Sequence, residues 1–186
     1  MFFSLAGSQV ELRNDIFRAL AARTVSLSNE QNVVFCDGVA VPDGCKTPIA
    51  HQLRIWASLD EWRLQLSELL ESREQVIEVN GFGLDAAWRA ARQTSCPVDR
   101  DHILQFQEQL VHLRIKAQGL LAPRYIVIVE NSHDPAAAYA REYCARISNQ
   151  HEPFFVFADM IRSTNHAVDI IAGFIGEHLI QEAYAA

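Results

Sequence analysis

Five short apolar runs alternate with longer amphipathic segments along the whole chain. The runs cover residues 2–6, 32–36, 75–79, 125–130 and 154–158. Most of them are almost continuously apolar, which is typical of strands that are covered on both faces, as in a parallel sheet. The pattern therefore predicts five buried strands.

The segments between these runs are long enough to form helical crossovers. We predict helices over residues 8–23, 84–93, 101–120, 132–149 and 163–184, and two more within residues 47–72. In the first helix, Ser8 followed by Glu11 has the spacing of a capping box, and the expected apolar face is Val10, Leu12, Ile16, Phe17 and Leu20. Strands that alternate with helices through right-handed crossovers form one doubly wound parallel sheet. The sequence thus predicts a three-layer α/β fold in a single domain spanning residues 1–186.

Composition narrows the classes of function. With 186 residues, 49% of them hydrophobic, the chain can bury one sizeable core. A net charge of −7 without a basic stripe disfavours nucleic acid as a partner. The first apolar run has no basic leader and no run reaches the roughly 18 residues of a membrane span, so we expect a cytoplasmic protein. The cysteines and histidines show no metal-ligand spacing, and neither a metal nor a cofactor is expected.

The turn after the first strand lies where nucleotide-binding α/β proteins place their phosphate loop. Such a loop needs a second glycine followed by Lys and Ser or Thr, because these groups hold the phosphates and magnesium. None of them follows Gly7, and the two lysines of the chain, Lys46 and Lys116, are remote from this turn. A working phosphate loop is therefore not expected.

Three segments nevertheless resemble the nucleoside and thymidylate kinases, a family of P-loop phosphotransferases. Residues 56–66 resemble the helical region that reads the base, residues 75–85 fall where the family has a strand ending in Asp-Arg or Glu-Arg, and residues 124–149 resemble the family's strand and lid. The resemblance implies a five-stranded sheet, for which we favour the strand order 2-3-1-4-5. It also makes Arg141 and Arg146 candidate lid residues.

The departures from this family fall on catalytic groups. Asn80-Gly81 replaces the acid–arginine pair, and Glu78 lies two residues too early. Positioning and charge stabilisation provide most of the catalysis in phosphoryl transfer. These losses make nucleotide binding doubtful and favour a protein without catalysis over an enzyme.

Ligands in open α/β sheets bind at the carboxyl ends of the strands. The candidate residues at that rim are Ser8, Asp37, Asn80, Glu130, His133 and Asp159. Ser132 or Asp134 is expected to cap the following helix. Because no cation is apparent at this rim, a neutral or cationic ligand suits it better than ATP.

The leading hypothesis is a non-catalytic, nucleoside-kinase-like protein that acts through protein contacts, as a homo-oligomer or an assembly subunit. The last helix supports it because it is apolar on more than one face. One alternative is a small-molecule enzyme with divergent chemistry at the rim. Another is a flavodoxin-like or flavin-reductase-like domain, suggested by Gly7-Ser8 with Arg13 and Asn14, for which a strand order of 2-1-3-4-5 is expected.

Overall fold

A computed structural model of the chain describes residues 2–27, 33–36, 75–79, 81–93, 123–147 and 152–185, with a few positions between 96 and 105. The two helices predicted within residues 47–72 and most of the helix predicted over residues 101–120 lie outside the described residues. So do two of the rim candidates, Asp37 and Asn80.

All five predicted strands are present, each within one residue of its expected bounds. They are β1 (Phe2–Ala6), β2 (Val33–Cys36), β3 (Gln75–Glu78), β4 (Arg124–Val129) and β5 (Phe154–Phe157). The strands form one sheet in the order β2-β3-β1-β4-β5, and every neighbouring pair is parallel. The predicted order 2-3-1-4-5 is confirmed. The flavodoxin-like order 2-1-3-4-5 is not observed.

Four helices are defined in the described part of the chain. They are α1 (Val10–Leu27), α2 (Leu84–Gln93), α3 (Pro135–Ile147) and α4 (Thr164–Ala185). Short 3-10 turns at Gly81–Gly83 and Ala158–Met160 follow the third and fifth strands. None of the described helices combines the length and the apolar character needed to cross a membrane.

The sheet lies between two hydrophobic clusters because side chains alternate from face to face along each strand. On one face, Phe3 and Leu5 of β1 pack with residues of α1 and α4. On the other, Ala6 of β1 and Tyr125 of β4 pack with residues of α2 and α3. Helices on both faces of a parallel sheet confirm the three-layer α/β fold.

The buried face of α1 differs from its prediction at one end. Val10 was expected in the apolar face but is 45% exposed, whereas Arg13, which was not assigned to that face, is 4% exposed. Ile16, Phe17 and Leu20 are buried as predicted. The inward-facing stripe therefore starts at Arg13 and places a guanidinium beneath the turn that follows β1.

Candidate functional site

The turn between β1 and α1 depends on Gly7. Its φ of 124° lies in the left-handed half of conformational space, which side chains disfavour. A Cβ atom at this position would lie 2.0 Å from the backbone oxygen of Ile128 in β4. The chain therefore passes directly over the neighbouring strand, and the Gly7 amide points towards α2.

A carboxylate of the chain itself meets that amide. Gly7 N–H donates to Asp85 Oδ1 at 2.8 Å, and Arg13 Nη1 donates to Asp85 Oδ2. Asp85 lies in the first turn of α2, with 12% of its side chain exposed. Burial raises the pKa of Asp85, and the charge of Arg13 and the Gly7 hydrogen bond oppose that rise. Three segments of the fold thus meet at one buried ion pair.

Two more backbone amides of this turn also donate hydrogen bonds to oxygens of the protein itself. Gln9 N–H donates to Ile128 O at 3.3 Å, and Val10 N–H donates to Ser8 O at 3.1 Å. In a phosphate loop, such backbone amides point together at an anion. Here the Gly7, Gln9 and Val10 amides are directed at three different oxygens of the chain.

Ser8 does not cap α1. The helix begins at Val10, and the Ser8 hydroxyl donates to Asp134 Oδ2 at 2.6 Å. The capping box expected between Ser8 and Glu11 is therefore wrong. Its physical reason is the start of the helix: because α1 begins at Val10, Gln9 and not Ser8 occupies the capping position.

Asp134 is the N-cap of α3, as predicted for Ser132 or Asp134. Its Oδ1 accepts Ala136 N–H at 2.8 Å, and Oδ2 accepts Glu130 N–H at 3.2 Å. Partial burial acts to raise the pKa of Asp134, but the hydrogen bonds from Ser8, Ala136 and Glu130 outweigh it and lower that pKa below 3.8. Asp134 therefore joins the end of β4, the start of α3 and the turn after β1.

The remaining described rim residues are exposed. Asp159 N–H donates to Glu130 O at 3.1 Å, which brings the ends of β4 and β5 together. His133 N–H donates to Asn131 Oδ1 at 2.9 Å. The side chains of Glu130, His133 and Asp159 all face solvent. The structure thus places these three candidates along one edge, while Ser8 is engaged with Asp134.

The two arginines proposed as lid residues have other partners. The Arg141 guanidinium lies 4.6 Å from the ring centroid of Phe155 in β5. Arg146 pairs with Glu142 one turn earlier on α3 at 2.9 Å, and approaches Asp101 at 3.9 Å. Arg141 therefore contacts the edge strand β5, and Arg146 contacts its own helix and Asp101.

A second set of buried polar side chains, Ser4, Glu78 and Tyr125, lies in a row across the middle of the sheet. Ser4 of β1 is in register with Glu78 of β3 and with Tyr125 of β4. The Ser4 hydroxyl donates to Glu78 Oε1, and both residues are fully buried. Burial, together with Tyr143, Cys144 and Glu78, raises the pKa of Tyr125 well above 10. Glu78, which sequence reasoning compared with a rim carboxylate, is instead an internal member of this row.

Sequence reasoning missed the Arg13–Asp85 pair, and it expected a rim without a cation. That expectation is wrong because Arg13 is such a cation, although Asp85 pairs with its charge. A signal existed in the spacing: Arg13, Ile16, Phe17 and Leu20 follow the i, i+3, i+4, i+7 pattern of one buried helix face. A charged residue in such a stripe indicates a buried partner.

No group of three or more His, Cys, Asp or Glu side chains that could hold a metal ion occurs among the described residues. Comparison with known proteins adds no assignment: no protein-family model matches the chain, and no characterised protein matches it significantly. The candidate site must therefore be interpreted from its own chemistry.

Proposed function

We propose that this protein is a non-catalytic, nucleoside-kinase-like protein that acts in the cytoplasm through protein contacts, as a homo-oligomer or as a subunit of an assembly. The observation that carries this proposal is the contact of the Asp85 carboxylate with Gly7 N–H and Arg13. In a kinase of this layout, the corresponding turn would face phosphates. Here an internal anion meets the amide and the cation that the turn provides.

The strand order supports the kinase-like part of the proposal, since it is the order favoured on the resemblance. The hydrogen bonds of the Gln9 amide to Ile128 O and of the Val10 amide to Ser8 O support the loss of catalysis. Phosphoryl transfer depends on cations and amides that are preorganised towards the charge developing on the phosphoryl group. In this turn those groups are already engaged.

The outer surface of α4 supports the part that concerns protein contacts. Ile170 is 37% exposed, and a Cβ atom added at Gly173 or Gly176 would meet no atom within 4 Å. The opposite side of the same helix, including Val168 and Ile171, is buried against the sheet and α1. A helix with an exposed apolar side chain opposite its buried face can pack against the sheet and a second protein at once.

Thermal melts with magnesium and ATP, GTP or a nucleoside test the catalytic part. We expect no saturable rise in the melting temperature and no nucleotide turnover. Melts with magnesium alone and with nucleotide plus a chelator are the controls. A saturable shift accompanied by ATP hydrolysis or phosphoryl transfer would contradict the proposal.

A second candidate, a small-molecule enzyme at the rim, is favoured by one observation. The Asp159 to Glu130 backbone hydrogen bond holds two exposed carboxylates at adjacent strand ends, with His133 nearby in the chain. These groups could serve as general acid and base. Alanine substitutions at Asp37, Glu130, His133 and Asp159 should then abolish an activity found by metabolite screening, and unchanged activity in all four would remove this candidate.

A further inference from the structure

The cluster beneath the first turn leaves one of its buried donors without a partner. Asp85 uses Oδ1 for Gly7 N–H and Oδ2 for Arg13 Nη1. Arg13 Nε is buried and has no hydrogen-bond partner among the described residues. A guanidinium presents its donors in a fixed fork, and one carboxylate shared with a backbone amide does not fill that fork. The guanidinium that pairs with Asp85 therefore keeps a buried N–H donor that no described residue satisfies.

The two donors that are paired indicate the kind of ligand that would fit. Gly7 N–H and Arg13 Nη1 reach the two different oxygens of one carboxylate. A small anion with two or more acceptor oxygens can accept both of these hydrogen bonds, and one that also reaches Arg13 Nε would satisfy the guanidinium better than Asp85 does.

We propose that Gly7 N–H and Arg13 form a site for a small oxyanion, a carboxylate or a phosphate group, which the chain fills with its own Asp85. An external oxyanion binds only when Asp85 withdraws. Its apparent affinity is then reduced by the fraction of time that the site is open. This inference extends the proposed loss of nucleotide binding by naming the group that closes the site, and it does not depend on how protein partners bind.

The substitution Asp85→Ala removes the internal ligand and leaves space for a small anion. Thermal melts of the full chain should compare sodium formate, sodium phosphate and sodium chloride at equal ionic strength. We expect formate or phosphate to stabilise the variant saturably, with a half-maximal concentration at least about tenfold lower than for the unsubstituted protein. Chloride is a single spherical acceptor and does not reproduce the two oxygens that Gly7 N–H and Arg13 contact, so it should have a weaker effect.

Three variants serve as controls. Asp85→Asn fills the same space with a neutral group and should not respond to either oxyanion. The double variant Arg13→Gln, Asp85→Ala lacks the cation and should lose the response. Asp169→Ala removes the carboxylate of the exposed pair with Arg23 and reports general salt effects at a surface site.

Several results would overturn the proposal: an equal response to chloride, an equal response of the unsubstituted protein, or a response that survives in the double variant. If Asp85→Ala is unfolded in chloride, the helix content of the variant is measured by circular dichroism during refolding in formate or phosphate. Recovery of helix in an oxyanion supports the site, and no recovery in either one overturns it. Nucleotides are absent from these melts, so a failure here is separate from a failure of the proposed function.

Discussion

Gly7 cannot be replaced by a residue with a side chain without moving the backbone. Its φ of 124° and the 2.0 Å approach of a Cβ atom to Ile128 O act together. We expect Gly7→Ala to lower the free energy of unfolding by about 3 kcal/mol or more, measured by chemical denaturation. Gly176→Ala is the matched control, because its Cβ meets open space inside a helix and should add about 0.5–1 kcal/mol. Equal effects of the two changes would contradict this role of Gly7.

Ser4 supplies a hydrogen bond to a carboxylate in the middle of the sheet. Removing the hydroxyl in Ser4→Ala takes one donor away from the fully buried Glu78. We expect a loss of about 1–3 kcal/mol in urea denaturation, since a buried acceptor without its donor keeps its full desolvation cost. The exposed Ser132→Ala should change stability by less than about 0.5 kcal/mol. A Ser4→Ala protein as stable as this control would show that the hydrogen bond contributes nothing net.

At the scale of an element, the start of α3 depends on one carboxylate. Asp134 accepts hydrogen bonds from Ala136 N–H, Glu130 N–H and the Ser8 hydroxyl. Asp134→Ala should therefore cost about 1–2 kcal/mol at neutral pH, measured by denaturation. Ser8→Ala leaves the cap itself in place and should cost less.

The same cap predicts a dependence on pH. The pKa of Asp134 is lowered in the folded protein, so its ionised form stabilises the fold. That contribution is fully present above the unfolded value of about 3.9 and is lost as the pH falls through the lower folded value. The difference in unfolding free energy between the unsubstituted protein and Asp134→Ala should shrink below about pH 4. A difference that stays constant from pH 7 to pH 3 would contradict an ionised cap.

At the scale of the whole molecule, α4 is the longest helix in the described part of the chain, and its exposed side is partly apolar. If α4 mediates self-association, Ile170→Glu places a charge in the contact, and its desolvation should dissociate the oligomer. Light scattering after size exclusion should then give the monomer mass of 20.9 kDa for this variant and a larger mass for the unsubstituted protein. Met160→Glu, 71% exposed just before α4, is the control and should leave the mass unchanged. Identical masses for all three proteins would argue against α4 as a self-association surface.

The pattern of apolar and polar residues predicted the secondary structure of the described part of the chain. It did not predict which hydrogen bonds and ion pairs the polar side chains form. Apolar runs marked the strands because burial on both faces leaves almost no polar position in a central parallel strand. The burial of Arg13 and its pairing with Asp85 were missed because a charge in an amphipathic helix is ordinarily assigned to solvent. Its partner lies 72 residues away, and local sequence carries no signal for such a pairing.

By itself, the sequence determined the five strands, the parallel α/β class and the absence of a lysine at the first turn. These follow from local composition and from alternation, which act over a few neighbouring residues. The strand order was favoured from a resemblance, and the tertiary structure decided it. Only the tertiary structure revealed that the Asp85 carboxylate accepts hydrogen bonds from Gly7 N–H and Arg13. It also showed that the Ser8 hydroxyl donates to Asp134 and that Glu78 is buried within the sheet. Hydrogen bonds between distant segments depend on how strands and helices pack, and that packing is a property of the whole chain.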